Sequence, residues 1–146
     1  MGVTAFDFFR TSGLPVPAVD DAQARTIATE YFGVAGTITA LGSQQDANFL
    51  ISDHAGVPVG VLKIANPAFS LVELQAQDAA AAFIAAGEGI RTATNREFDA
   101  VAPIAQIDVD GGLFVRIISY LDGGTLSGDG YLNPARVRAL GDLAGR

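Results

Sequence analysis

The spacing of hydrophobic residues predicts a helical segment at the start of the chain and a β-rich segment after it. Beyond Asp20, apolar side chains recur at the helical positions i, i+3, i+4 and i+7. They are Ala24, Ile27, Ala28 and Tyr31. Because Gly33 follows as a C-terminal stop, the pattern predicts an amphipathic helix that packs on the next segment. A shorter, phenylalanine-rich helix is predicted at residues 4–9, with its aromatic residues in the core.

Five apolar runs bounded by turn residues predict five β-strands. They cover residues 36–41, 48–51, 57–64, 104–109 and 113–121. A helix is predicted between the third and fourth strands, at about residues 70–86. Its clearest apolar stripe consists of Val72, Ala76, Ala79 or Ala80, and Phe83. Leu71 and Leu74 begin a neighbouring stripe that Asp78 interrupts. A last helix is predicted from Pro134.

This order of elements predicts an α+β fold with a five-stranded antiparallel sheet, an inserted helix and a preceding N-terminal helix. That is the plan of a protein-kinase-like N-terminal lobe. At 146 residues, the chain is the length of one ordinary domain. We expect residues 1–121 to form the lobe, and residues 122–146 to form a connector and the first helix of a second lobe that this sequence lacks.

Composition excludes several classes of function. The net charge is −7 and the isoelectric point is near 4.4, so nucleic acid and anionic membrane surfaces are not expected partners. There is no cysteine, no signal peptide and no apolar run long enough to cross a bilayer, and we expect a cytoplasmic protein. Hydrophobic residues make up 49% of the chain and the mean hydropathy is +0.33, which indicates an apolar face that expects a partner.

The candidate chemistry centres on Lys63, a cation set in the apolar run 59–64. A buried ammonium is costly unless an anion meets it. The polar loop 42–47 lies one hairpin upstream, and Glu73 lies on the following helix, so the three parts favour a phosphate-binding site. Simpler interpretations stay open: an edge-strand lysine with its head in water, a plain hairpin turn, and a capping box between Ser70 and Glu73.

Three segments carry a resemblance to a known family: residues 41–49, residues 61–67 with the run Val-Leu-Lys-Ile-Ala-Asn-Pro, and residues 73–75. They resemble the aminoglycoside phosphotransferase/choline kinase-like superfamily, and within it the hydroxylysine kinase-like branch. Versions of that branch also form the N-terminal part of proteins that end in a class III, pyridoxal-phosphate aminotransferase. The similarity spans about residues 36–123.

The resemblance implies a nucleotide site. Lys63 would contact the α- and β-phosphates of ATP, and Glu73 would hold Lys63 in place. The loop would cover the phosphates, with three residues near its mouth: Ser43, Asp46 and Asn48. A hinge would bind adenine through its backbone: Ser119, Tyr120 and Leu121. Two residues depart from the pattern, since Gln45 and Asp122 stand where an arginine and a proline are expected.

The resemblance also places the catalytic groups elsewhere. A catalytic Asp, an Asn and a Mg²⁺-binding Asp belong to the second lobe, so this chain alone is expected to be inactive. The segment 128–133 lacks the required His and is interpreted as a turn and a helix cap. The intact protein would phosphorylate a hydroxyl on an amino acid, amino sugar or amino alcohol, using ATP and Mg²⁺.

The alternative hypothesis is a non-catalytic lobe that uses the same sheet for interaction or oligomerisation. Without a second lobe the face below the hinge is uncovered, so self-association is expected, through exchange of the last helix.

The remaining polar residues favour structural roles. His54 lies in a polar turn, and Asp108 and Asp110 flank a hairpin, so all three are expected at the surface. One histidine without cysteine makes a transition-metal site an unfavoured interpretation. Arg116 lies in an apolar strand and is expected to pair with a carboxylate for structural reasons.

Overall fold

The computed structural model describes residues 14, 16–87, 90–98, 102–109, 111–124 and 132–145. Their elements run α1 (Asp21–Phe32), β1 (Thr37–Leu41), β2 (Ala47–Ser52), β3 (Pro58–Ile64), α2 (Leu71–Ala86), β4 (Ala105–Ile107), β5 (Leu113–Ile118) and α3 (Pro134–Ala144). The short helix predicted at residues 4–9 lies outside the described residues, as does Asp110.

The five strands form one antiparallel sheet in the order β1-β2-β3-β5-β4. Helix α2 follows β3 and precedes β4, and α1 precedes the sheet. The predicted α+β class, the five antiparallel strands and the inserted helix are therefore confirmed. The strand β3 lies between β2 and β5, so every residue of its central part faces a neighbouring strand on both sides.

Helix α1 begins with a capping box, in which the Asp20 side chain accepts from the Gln23 backbone and the Gln23 side chain accepts from the Asp20 backbone. It ends at Gly33, whose φ of 65° is the left-handed conformation that glycine adopts without strain. Its buried face packs with one face of the sheet into a single core. The helical members of that core are Ala24, Ile27, Ala28 and Phe32, with Tyr31 partly buried against them.

The core face of the sheet follows the alternation expected of strands. In β3, for example, Gly60, Leu62 and Ile64 are buried, whereas the residues between them are half-buried and lie on the opposite face. Gly60 is required by close packing, since a Cβ there would come within 2.7 Å of the Ile117 side chain. The opposite face of the sheet carries Lys63 and Arg116.

Helix α2 turns a different side to the sheet from the one that its clearest stripe indicated. Among its 16 residues only Leu74 is buried, while the exposed fractions of Val72 and Phe83 are 73% and 82%. The neighbouring stripe, which Asp78 interrupts, faces the sheet instead. The physical reason is that the sheet presents Arg116 there, and a cation in an apolar surface selects a helix face that carries a carboxylate.

Helix α3 has the predicted start: the Asn133 side chain accepts from the Arg136 backbone N–H, and Pro134 occupies the first turn. No side chain within α3 is buried, so this helix does not contribute to the core. None of the helices in the described part of the chain is both long and apolar enough to cross a membrane.

Candidate functional site

A row of polar side chains crosses the sheet on the face opposite the core. Asn48 of β2, Lys63 of β3 and Arg116 of β5 are cross-strand neighbours in register. Directly opposed side chains in an antiparallel pair lie close together, and like charges in such a pair repel. Two cations are therefore adjacent here, and each needs a carboxylate from another segment. Lys63 is also the only lysine in the sequence.

The ammonium of Lys63 is paired. Its Nζ lies 3.0 Å from Oδ2 of Asp46 and donates to Oδ1 of Asn48 at 3.3 Å. The exposed fractions of the Lys63 and Asp46 side chains are 21% and 16%, so the pair is mostly withdrawn from water. Because β3 is a central strand, the alternative of an edge-strand lysine with its head in water is wrong.

Asp46 is itself held in place by the chain that follows β3. Its Oδ1 accepts from the Asn66 backbone N–H at 3.1 Å, and the Asn66 side-chain amide donates to the Gln45 carbonyl at 3.0 Å. On the loop itself, the Asp46 N–H donates to Oγ of Ser43 at 3.2 Å. The loop between β1 and β2 is thus fastened to the end of β3.

Asn66 is a positioning residue whose role the sequence reasoning did not assign. It is 1% exposed, and its Oδ1 accepts from the Ala68 N–H at 3.0 Å. The available signal was an asparagine directly before Pro67, since asparagine side chains bond nearby backbone groups at such turns.

The structure brings three of the predicted loop residues together. Ser43, Asp46 and Asn48 line one shallow depression of about 210 Å³. The neighbouring loop positions 42–45 are exposed, so the fastened loop lies at the surface. Lys63 joins this group through its contacts to Asp46 and Asn48.

Of the two roles considered for Glu73, partner of Lys63 or cap of a helix, the structure shows the cap. Its Oε2 accepts from the Ser70 backbone N–H at 2.7 Å and from the Ser70 hydroxyl at 2.8 Å, while its own N–H donates to Ser70 Oγ at 3.3 Å. These bonds complete a capping box at the start of α2. Lys63 pairs with Asp46 rather than with Glu73.

This cap gives the stability of α2 a pH dependence. Hydrogen bonds from the Ser70 backbone and then from its hydroxyl hold the pKa of Glu73 below its ordinary value of 4.5. Since the folded-state pKa is the lower one, the cap's contribution is complete above pH 4.5 and is lost as the pH falls through the folded-state pKa.

We therefore expect Glu73→Gln to lower the urea midpoint at neutral pH and to leave it unchanged in acid, below the folded-state pKa. Glu30→Gln, which removes an exposed carboxylate from α1, is the matched control. An equal difference between wild type and Glu73→Gln at both pH values would show that the charge of Glu73 is irrelevant to the cap.

The second cation of the row, Arg116, anchors α2. Its Nη1 lies 2.8 Å from Oδ1 of Asp78 and also donates to the Leu74 carbonyl at 3.1 Å. Its Nη2 donates to Oε1 of Gln77 at 2.9 Å. Asp78 Oδ2 in turn accepts from the Asn95 side chain at 2.6 Å. The predicted structural pairing of Arg116 is confirmed.

The predicted hinge begins where β5 ends. The Ser119 N–H donates to the Thr94 carbonyl at 2.8 Å, and the Ser119 hydroxyl accepts from the Thr94 N–H at 3.1 Å. The backbone N–H of Ser119 is thus used inside the protein. Tyr120 and Leu121 follow the strand and are exposed.

A strip of half-buried apolar side chains lies beside the polar row on the same face. Leu50, Val61 and Ile118 are cross-strand neighbours in register, two residues along their strands from Asn48, Lys63 and Arg116. All three are half-buried, so no other part of the described chain covers them fully. The site therefore combines a paired cation, a polar loop and a partly exposed apolar strip.

The other candidate residues stay structural. His54 and Asp108 are exposed, as predicted. Within the described ranges, no group of three or more His, Cys, Asp or Glu residues could hold a metal ion.

Comparisons with known proteins found no matching family model, no matching curated protein and no matching solved structure.

Proposed function

We propose that this chain is the ATP-binding, kinase-like N-terminal lobe of a small-molecule phosphotransferase. The observation that carries the proposal is Lys63, a central-strand cation that contacts Asp46 and Asn48 beside a partly exposed apolar strip. A cation at a fixed position beside a partly exposed apolar strip fits a ligand that is anionic at one end and flat and apolar at the other.

The two ends of ATP match the two parts of this face. A phosphate binds Lys63 as a charge-assisted hydrogen-bond partner, and the exposed loop 42–45 lies next to it. The adenine ring stacks on the strip of Leu50, Val61 and Ile118, close to the hinge that starts at Ser119. The hinge contacts come from residues 120–121, because the Ser119 N–H is engaged by Thr94.

The chemistry itself rests on the resemblance to the aminoglycoside phosphotransferase/choline kinase-like superfamily. ATP is bound with Mg²⁺, and a catalytic Asp from a second lobe accepts the proton of the acceptor hydroxyl. The acceptor is an amino acid, amino sugar or amino alcohol, as in the hydroxylysine kinase-like branch, and the intact protein carries an aminotransferase module in some forms of that branch. Glu73 acts as a helix cap in this scheme, and Asn48 orients Lys63.

The test is binding of Mg·ATP by calorimetry and by NMR of protein labelled with ¹³C-lysine. Because Lys63 is the only lysine, its Cε group gives a single assigned signal. We expect saturable binding that shifts this signal, and we expect Lys63→Ala to weaken binding about tenfold, the value of one charge-assisted hydrogen bond. Arg25→Ala removes an exposed cation from α1 and is the control, with unchanged affinity. Equal affinity of Lys63→Ala and wild type would refute a phosphate role for Lys63.

A second candidate function is a non-catalytic lobe that binds a second copy of itself. It is favoured by the exposed stripe of α2, where Val72 and Phe83 lie uncovered, and by three exposed apolar residues of α3. These are Val137, Leu140 and Leu143. Sedimentation at several concentrations decides the matter: a mass that grows with concentration in wild type and not in Phe83→Ser supports self-association, and a constant monomer mass excludes it.

A further inference from the structure

The charges of the polar row cancel in the folded protein. Lys63 is neutralised by Asp46, and Arg116 is neutralised by Asp78. A phosphate that approaches this face therefore meets no net positive charge. Two like charges within a few ångströms of one cation repel each other, so Lys63 cannot serve Asp46 and a phosphate equally well.

The two carboxylates are similarly exposed, 16% for Asp46 and 20% for Asp78, but they are held in different ways. Asp78 lies on α2 and is shared between Arg116 and Asn95, and Arg116 is 6% exposed. Asp46 sits on the β1–β2 loop, next to exposed residues, and one of its two oxygens reaches Lys63 while the other accepts from the Asn66 N–H. The contact to Lys63 can therefore break while Asp46 stays attached through Asn66.

We propose that Asp46 is an internal competitor for the anion site at Lys63 and so determines which ligands the site accepts. This inference rests on the function proposed above. The phosphate chain of ATP or pyrophosphate carries several negative charges on adjacent groups, and it displaces a carboxylate, which carries one. Ligands that lack phosphate leave the Lys63–Asp46 pair intact and bind through the apolar strip alone.

The test compares wild type, Asp46→Asn and Lys63→Ala with three probes: pyrophosphate, Mg·ATP and adenosine. Asp46→Asn keeps an oxygen for the Asn66 N–H and removes only the charge. We expect it to bind pyrophosphate and Mg·ATP about fivefold more tightly than wild type, a gain within the range of one partly exposed ion pair, and to bind adenosine unchanged. Glu30→Gln makes the same change of net charge on α1 and is expected to bind every probe as wild type does.

The outcomes separate this inference from the proposed function. If Lys63→Ala weakens binding of Mg·ATP and Asp46→Asn changes nothing, Asp46 is not a competitor, although the nucleotide site stands. If Asp46→Asn weakens binding of both phosphate probes, Asp46 assists the phosphates and the inference is wrong. If no protein binds pyrophosphate or Mg·ATP, both proposals fail. Asp46→Ser is a second variant that removes the charge, and it replaces Asp46→Asn if the latter folds poorly. A urea midpoint equal to that of wild type shows that the variant used is folded.

Discussion

Asp78→Ala is expected to lower the free energy of unfolding by about 3 kcal/mol, which is typical for leaving one partner of a buried ion pair alone. The loss is large because Arg116 is 6% exposed and would keep its charge among apolar neighbours. The guanidinium would retain only neutral acceptors, the Leu74 carbonyl and the Gln77 side chain. Urea denaturation at neutral pH, followed by circular dichroism, measures the effect.

The double variant Asp78→Ala/Arg116→Met provides the decisive comparison. Methionine fills the space of the arginine stem without a charge, so the double variant should recover part of the stability that Asp78→Ala loses. Glu30→Ala is the control for loss of an exposed carboxylate, and a change within about 0.5 kcal/mol is expected. If the losses of unfolding free energy in Asp78→Ala and Arg116→Met simply add in the double variant, the pair is not coupled and does not anchor α2.

This anchor bears on how the candidate site works. In a nucleotide lobe whose lysine is held by a carboxylate of the inserted helix, a shift of that helix also changes the position of the lysine side chain. Here α2 is attached to β5 through Arg116 and Asp78, and Lys63 is attached to the β1–β2 loop through Asp46. Asp78→Ala should therefore disturb α2 and leave the Lys63 signal in NMR close to its wild-type position.

The elements themselves were largely predictable from the sequence. Apolar runs bounded by turn residues found all five strands, and the apolar spacing that begins after Asp20 and stops at Gly33 found α1. The last two strands are shorter than predicted, at Ala105–Ile107 and Leu113–Ile118. Their apolar runs continue further, but pairing ends earlier: β4 pairs only with β5, and directly after Ile118 the Ser119 N–H donates to the Thr94 carbonyl instead of to a strand.

The orientation of α2 was not predictable from its own pattern. Its apolar stripe at Val72 and Phe83 is more regular than the side that it turns to the sheet. What decided the orientation is a residue about 40 positions away, since Arg116 donates to Leu74 and Gln77 across that separation. A periodicity argument has no access to such a partner, although the unexplained arginine in an apolar strand was a signal that one existed.

The same limit applies to the candidate site. The sequence identified Lys63 and the loop residues Ser43, Asp46 and Asn48, which the structure places together. It named Glu73 as the residue that holds Lys63 and placed Asp46 only at the mouth of the loop, whereas Lys63 pairs with Asp46. The choice depends on local hydrogen bonds. Glu73 accepts from the Ser70 N–H, whereas the Asn66 N–H, just after β3, holds Asp46 and its loop beside Lys63.

Asn66→Ala is expected to cost about 2 kcal/mol of unfolding free energy and to release the β1–β2 loop, because a buried amide that bonds two backbone groups is removed. The Ala68 N–H loses its acceptor and the Gln45 carbonyl loses its donor. Asp46 keeps its bond to the backbone N–H of residue 66, which alanine retains. Urea denaturation gives the overall loss, and hydrogen exchange of the loop amides gives the local one.

Two variants separate the effect of the Asn66 side-chain bonds, here called the clamp, from a general effect of losing an asparagine. Asn66→Asp keeps an oxygen for the Ala68 N–H and cannot donate to Gln45, so its loop amides should exchange as fast as those of Asn66→Ala. Asn133→Ala removes the cap of α3 instead and should leave loop exchange unchanged. Faster exchange confined to the loop, together with a shifted Lys63 Cε signal, would show that Asn66 positions Asp46 against Lys63. Unchanged loop exchange in both Asn66 variants would mean that the loop holds its shape without the clamp, and Asp46 would then reach Lys63 by its own loop geometry alone.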